Sequence, residues 1–246
     1  MSSHSEGNPG PGLKSIHYRR VVDLSHVIHP GMPQWPGDPP AEFTSWATLD
    51  AEGYNLRRVS LGEHAGTHMN APASFHAGGL GIDGYDAGSL VAPASVIDVT
   101  QLARVSPDFE LGVDHVARWE QANGRCEPGT VVLLCTGWSH KWQNPQQYLG
   151  MDDNGVSHFP GFGVDVVEYL LRDRGIAGVG IDTHGVDPGM DNTYAVNRLV
   201  LQQPRLVLEN LTSLDQLPPT GATLVIGVIR LQGGGGSPVS VLAFVP

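Results

Sequence analysis

The chain has 246 residues, with 25 Asp and Glu against 14 Lys and Arg, a formal net charge of −11. Such a polyanion gains nothing from phosphate counterion release, so a nucleic-acid-coating role is disfavoured. Hydrophobic residues are 40% and charged residues 16%, with 32 Gly and 19 Pro, which excludes wholesale disorder, coiled coils and helical repeats and points to a turn-rich, strand-rich chain. The two cysteines cannot make a disulfide framework; Cys135, in the apolar run from Thr130, reads as a buried free thiol. No window approaches the roughly 18 apolar residues of a membrane span. The N-terminus lacks the basic region and apolar stretch of a secretory signal. A cytoplasmic protein with no membrane partner is expected.

In chain order, residues 1–16 read as a disordered tail. Tyr18–Leu24 is a first strand, followed by a Pro- and Gly-dense loop from His29 to Pro40. Leu56–Leu61 alternates weakly. Ala94–Val99, Thr130–Thr136 and Ala177–Asp182 are short apolar runs bounded by turn signals, as buried strands are. Leu206–Leu208, Thr223–Ile229 and Val239–Phe244 complete the set. Helices are expected at Val113–Asn123, at Val164–Gly175 with Val164, Val167, Leu170 and Leu171 on one face, and at Arg198–Gln203. The Gly233–Gly236 tract joins two strands as a hairpin loop. The sum is a single α/β domain over residues 17–246 with a mixed sheet.

Three of the histidines lie between Glu63 and His76. His64 and His68 are four apart, so a helical turn would set both imidazoles on one side, with the Asn70 oxygen close by. Neutral nitrogens and an oxygen converging on a point are what a metal ion wants. Surface histidines in a Gly/Pro loop are the plainer alternative. A dinucleotide enzyme is excluded by the lack of Gly-x-Gly-x-x-Gly between a strand and a helix.

His64-x-Gly-Thr-His68-x-Asn70-x-Pro72 resembles the His-x-Gly-Thr-His-x-Asp-x-Pro-x-His signature of the metal-dependent cyclase-type hydrolases, a family that includes kynurenine formamidase and isatin hydrolase. Asp23-Leu-Ser-His26 with the Met32–Asp38 loop, His158-Phe-Pro-Gly-Phe162, Gly180-Ile-Asp-Thr183, and Leu208-Glu-Asn-Leu211 match four further motifs in order. The resemblance implies a swivelling β/β/α fold, a homo-oligomer (dimer or tetramer) and hydrolysis of a small amide, formamide or lactam, with arylformamidase activity in tryptophan catabolism as the nearest parallel. It also implies a divalent ion, Mn or Zn, held by His64, His68 and Asn70, with Glu209 and Asn197 at a second position. Metal-activated water would attack the carbonyl.

Three positions depart from the pattern: Asn70 replaces an Asp ligand, Ser74 the acid/base His, and Asn197 a second-site His. Asn70 keeps a carbonyl oxygen but loses the charge that offsets a cation; Asn197 is a poor replacement for an imidazole on zinc but acceptable to a harder ion such as Mn²⁺ or Mg²⁺. A metal-free binding or structural protein on the same fold is therefore the alternative. His76 and His184 are the catalytic candidates for the vacated acid/base role, His76 preferred because it shares the ligand loop. Trp35, Ser74 and Phe75 are candidate substrate contacts. Asp182 and Asp187 flank His184 and could orient it.

Overall fold

A computed structural model describes residues 15–246. The expected tail over residues 1–16 lies, but for Ser15 and Ile16, outside the described residues. The described residues form twelve strands: β1 (Arg20–Asp23), β2 (Glu42–Ala47), β3 (Leu56–Ser60), β4 (His68–Asn70), β5 (Val91–Asp98), β6 (Glu110–Leu111), β7 (Val131–Cys135), β8 (Gly161–Phe162), β9 (Gly178–Ile181), β10 (Leu206–Glu209), β11 (Ala222–Val228) and β12 (Gly236–Val245).

Eight strands make one mixed sheet in the order β1-β12-β11-β5-β7-β9-β10-β4. β5, β7, β9 and β10 run parallel; the other neighbours are antiparallel. β4 also pairs with the start of β12, so the sheet closes into a barrel with β1 appended. The apolar runs explain why. Every residue of β7, β9 and β10 is buried, and successive side chains of a strand face opposite ways. Val131, Leu133 and Cys135 join the core inside the barrel with Met69, Leu208 and Val241. Val132 and Leu134 join a second core under the helices Val113–Asn123 and Val164–Tyr169, through Val116, Val166 and Val167. Each fully buried Leu or Val contributes about 1.5–3 kcal/mol, so Leu133→Ala would cost about 2–5 kcal/mol.

The expected strands and the single α/β domain are present, with ends shifted by one to three residues. The helix from Val164 runs to Tyr169 and then widens into a π turn, Leu170–Arg174, closed by Gly175 at φ 63. Its buried face is Val166, Val167 and Leu170, while Val164, at the first helical position, is exposed. The short helix expected at Arg198–Gln203 starts earlier, at Ala195–Val200. β2 and β3 form a separate two-stranded ribbon with exposed Trp46, Leu56 and Val59. Among the described residues no helix is long and apolar enough to cross a membrane.

Candidate active site

β4 is the hub. It lies between β10 and β12, and its register sets His68 opposite Glu209 and Asn70 opposite Gly236. Directly opposed residues on one face are in contact, which is how two side chains far apart in sequence meet. The helical turn expected for His64 and His68 is not formed. His68 opens β4, and Gly66 reverses the chain at φ 64, a left-handed conformation that a Cβ disfavours. The two rings still converge, with centroids 5.3 Å apart and planes at 76°.

Nδ1 of His68 donates to the Gly66 carbonyl at 2.9 Å, and its Nε2 faces Oε2 of Glu209 at 3.0 Å. Nδ1 of His64 lies 2.8 Å from the Asn70 oxygen. The Asn70 amide nitrogen donates to Glu209 Oε2 and to the Asn197 oxygen, both at 2.9 Å. Asn197 in turn donates to Glu209 Oε1 and Asp187 Oδ2. Behind them Asn210, itself at φ 54, donates to the same Gly66 carbonyl and accepts the Tyr148 hydroxyl. This buried pair fixes the turn that aims His68.

Burial alone would raise the Glu209 carboxyl, but the bonds from His68, Asn197 and the Val186 amide outweigh it and bring it to about 2. Burial lowers His64, with the neighbouring His68 adding to the effect. Burial likewise takes His184 down to about 4 and raises Asp187 to about 6. His184 is 7% exposed, and neither ring nitrogen has a hydrogen-bond partner among the described residues. Its ring meets Trp35 edge-on at 5.2 Å.

The chemistry of this donor set fits a cation. A His68 whose Nδ1 donates to a carbonyl presents a lone pair at Nε2 unless that atom is also protonated, and an ionised Glu209 only accepts. A proton or a metal ion must therefore lie between them. Two donors at roughly 2.1 Å from one ion, near a right angle, sit about 3 Å apart, as these do. Among the described residues no three His, Cys, Asp or Glu groups form a ready metal cluster; the third donor beside the two imidazoles is the Asn70 amide. Hence His64, His68 and Asn70, with Glu209 adjacent, suit a divalent ion but supply little charge to hold it.

These residues open onto a cavity of about 450 Å³, within the usual range for a small-molecule site. Trp35, Ser74, Phe75, His184 and Asn197 all line it. His76 does not: its Nε2 is bonded at 2.9 Å to the Arg198 carbonyl. The turn Pro72–Ser74 carries it away from the ligand loop, so the preference for His76 over His184 is corrected by its placement. Asp182 also stays outside, its carboxylate bound by Thr136. Asp187 holds Asn197 and the backbone of Val196 rather than His184. The Gly233–Gly236 tract does join β11 to β12, but it also walls the cavity: Gly235 accepts the Ser74 hydroxyl and donates to Glu63. Sequence reasoning missed Asp38, Glu63, Asp191, Phe159 and Tyr194 in the lining. Asp38 and Phe159 lay within matched motifs without being singled out, and Asp191 carried a local signal as the Asx-type residue ahead of a helix.

The Cyclase family model matches residues 22–188. The chain belongs to the Cyclase family. Isatin hydrolase of Roseibium aggregatum is 33% identical over 243 residues, covering 92% of each chain. Kynurenine formamidase of Bacillus cereus is 26% identical over 219 residues, covering 89% of this chain and 94% of its own. The solved structure of isatin hydrolase A from Ralstonia solanacearum superposes with a TM-score of 0.86 at 34% identity, covering 92% of both chains. The family read from the sequence motifs is borne out, as is the fold.

Proposed function

We propose that this cyclase-family enzyme hydrolyses the C–N bond of a small aromatic amide, formamide or lactam. The observation that carries the reading is the buried His64–His68–Asn70–Glu209 constellation opening onto an aromatic-walled cavity. Addition of water across the bond puts hydroxyl on the carbonyl carbon and a proton on the nitrogen, leaving a carboxylic acid and an amine. A divalent ion held by His64, His68 and Asn70 would supply Lewis acidity to the carbonyl and to the attacking water; the neutral oxygen of Asn70 favours Mn over Zn. His184, neutral at pH 7 and with both nitrogens free, accepts the proton of the attacking water and returns it to the leaving nitrogen. Trp35 and Phe75 flank the ring of the substrate, and Asn197 and Glu209 hold the Asn70 amide in place.

Lactam opening is favoured over arylformamidase activity in tryptophan catabolism, because the isatin hydrolase relative is the more similar of the two. The test is turnover of isatin and of N-formylkynurenine by protein purified without chelator, with metal content measured on the same sample. Faster isatin turnover with near one equivalent of Mn supports the reading. No turnover and no metal after soaking would favour the metal-free binding protein, which the mutual bonding of Asn70, Asn197 and Glu209 also supports. We further propose a cytoplasmic homo-oligomer. The β2–β3 ribbon pairs only with itself and leaves Trp46 69% exposed; an isolated two-stranded ribbon is marginal in water and needs packing. Light scattering giving a monomer would refute the oligomer.

A further inference from the structure

Among the described residues, the cavity is lined by five carboxylates, Asp38, Glu63, Asp187, Asp191 and Glu209, and by no lysine or arginine. None of the five forms an ion pair with a lysine or arginine among the described residues; Glu209 pairs only with His68. The Arg198 guanidinium lies 5.7 Å from the centre of the Phe75 ring and is bonded to the carbonyls of Phe75 and Thr193. Counting His64, His68 and His184 all as cations still leaves the carboxylates in excess. So does counting the imidazoles as neutral ligands and adding one divalent ion. Four aromatic side chains, Trp35, Phe75, Phe159 and Tyr194, share the lining. Their faces attract cations as well as rings. Tyr194 is held at φ 56, a left-handed conformation unusual for a bulky residue, with its ring 5.6 Å from Phe75; such strain concentrates at ligand sites. The buried, unpartnered His184 opens into the same space.

We propose that this cavity selects aromatic amides bearing a positive charge, such as a protonated amine or amidine beside the ring, and rejects carboxylates. The inference deepens the hydrolase reading and rests on it for the word amide. A low-dielectric cleft of one sign focuses its field, concentrating the opposite charge and repelling its own. The carboxylate released by hydrolysis meets the same field and is expelled, so weak product inhibition goes with the selection.

Benzamidine, benzamide and benzoate are near-isosteric and differ in charge, so calorimetric titration of this trio isolates the field. It is run on chelator-treated and on Mn-loaded protein. Benzamidine is expected to bind at least about tenfold tighter than benzamide in both forms, with benzoate weakest. The benzamidine preference should shrink about three- to tenfold in Asp38→Asn, whose side chain is exposed and makes no internal hydrogen bond among those described. It should also shrink as salt rises from about 20 to about 500 mM in the unaltered protein, which keeps the test independent of the variant. Equal affinities, or benzoate binding as tightly as benzamidine in either form, overturn the proposal while isatin turnover still supports the hydrolase. Benzamidine preference in a protein that cleaves no amide supports the charge selection and refutes the hydrolase.

Discussion

A Cβ placed on Gly236 would stand 2.7 Å from Cε1 of His64, closer than side-chain carbons approach one another. The first residue of β12 is thus a glycine because an imidazole occupies the space where any other side chain would begin. Gly236→Ala needs no unusual backbone conformation, but its Cβ would push His64 aside and also press on the Met69 carbonyl, 2.9 Å away. A displacement of about 1 Å at a reacting centre costs about 10²-fold. That loss in kcat/KM, with a Tm drop of only a few degrees, is the expected outcome on whichever amide proves to be the substrate.

Glu209→Gln keeps the shape of the side chain and removes the charge that faces His68. The buried carboxylate orients the Asn70 amide and, in the proposed site, would offset a cation. Divalent-ion affinity should fall about 10–100-fold, as it does when groups supporting ligands are altered. Metal titration followed by calorimetry checks this apart from activity.

Asn70→Asp does the reverse. It restores charge to the donor set but replaces an amide that donates to Glu209 with a second carboxylate 2.9 Å away. The metal-free variant should melt below the unaltered protein, because like charges at that distance cannot both ionise cheaply. Saturating Mn²⁺ should raise its Tm by more than it raises that of the unaltered protein. Equal gains would show that residue 70 does not touch the ion.

His184→Ala should lower kcat by about 10²–10⁴-fold, the usual span for a lost acid/base group. His76→Ala should leave kcat within about twofold and remove only its bond to the Arg198 carbonyl, a loss of about 0.5–1.5 kcal/mol in stability. A collapse of kcat in the His76 variant alone would reverse these roles.

Acid should unfold this protein through its neutral buried imidazoles. Burial lowers both His26 and His184 to about 4 from an ordinary value of 6.5. A group with a depressed folded pKa contributes stability that is complete above 6.5 and is lost as pH falls through 4. Asp187, raised from 3.8 to about 6, acts oppositely and gains stability over the same window. Three lowered imidazoles, His64 included, against two raised carboxylates, Asp182 and Asp187, give a net loss, so Tm should fall between pH 6.5 and 4. A flat Tm over that range would contradict these assignments.

The barrel strands were legible because their apolar runs are continuous and end at turn residues: Val131–Cys135 is buried on both faces and could be little else. The ribbon strand Glu42–Ala47 was not, since it packs on no core and carries no alternating pattern. The Asn144 cap with Pro145 behind it did mark a short helix, Pro145–Leu149, that was passed over. At the site, spacing and motif named His64, His68, Asn70, Asn197 and Glu209, and the structure gathers them. The helical turn expected between the two histidines does not form because Gly66 takes a left-handed conformation that breaks it. The acidic lining was invisible for another reason: Asp38, Glu63, Asp191 and Glu209 come from four separate segments, and only closure of the sheet puts them on one wall.

That closure also sets a timetable. β4 finds one neighbour in β10 and the other in Gly236–Pro238, more than 160 residues downstream. On a ribosome, His64, His68 and Asn70 are all made early and wait, unpaired on one side, until the final hairpin emerges. Contacts spanning such distances form slowly. The barrel, and with it the part of the cavity wall that Gly235 supplies, closes only once the last strand has been made.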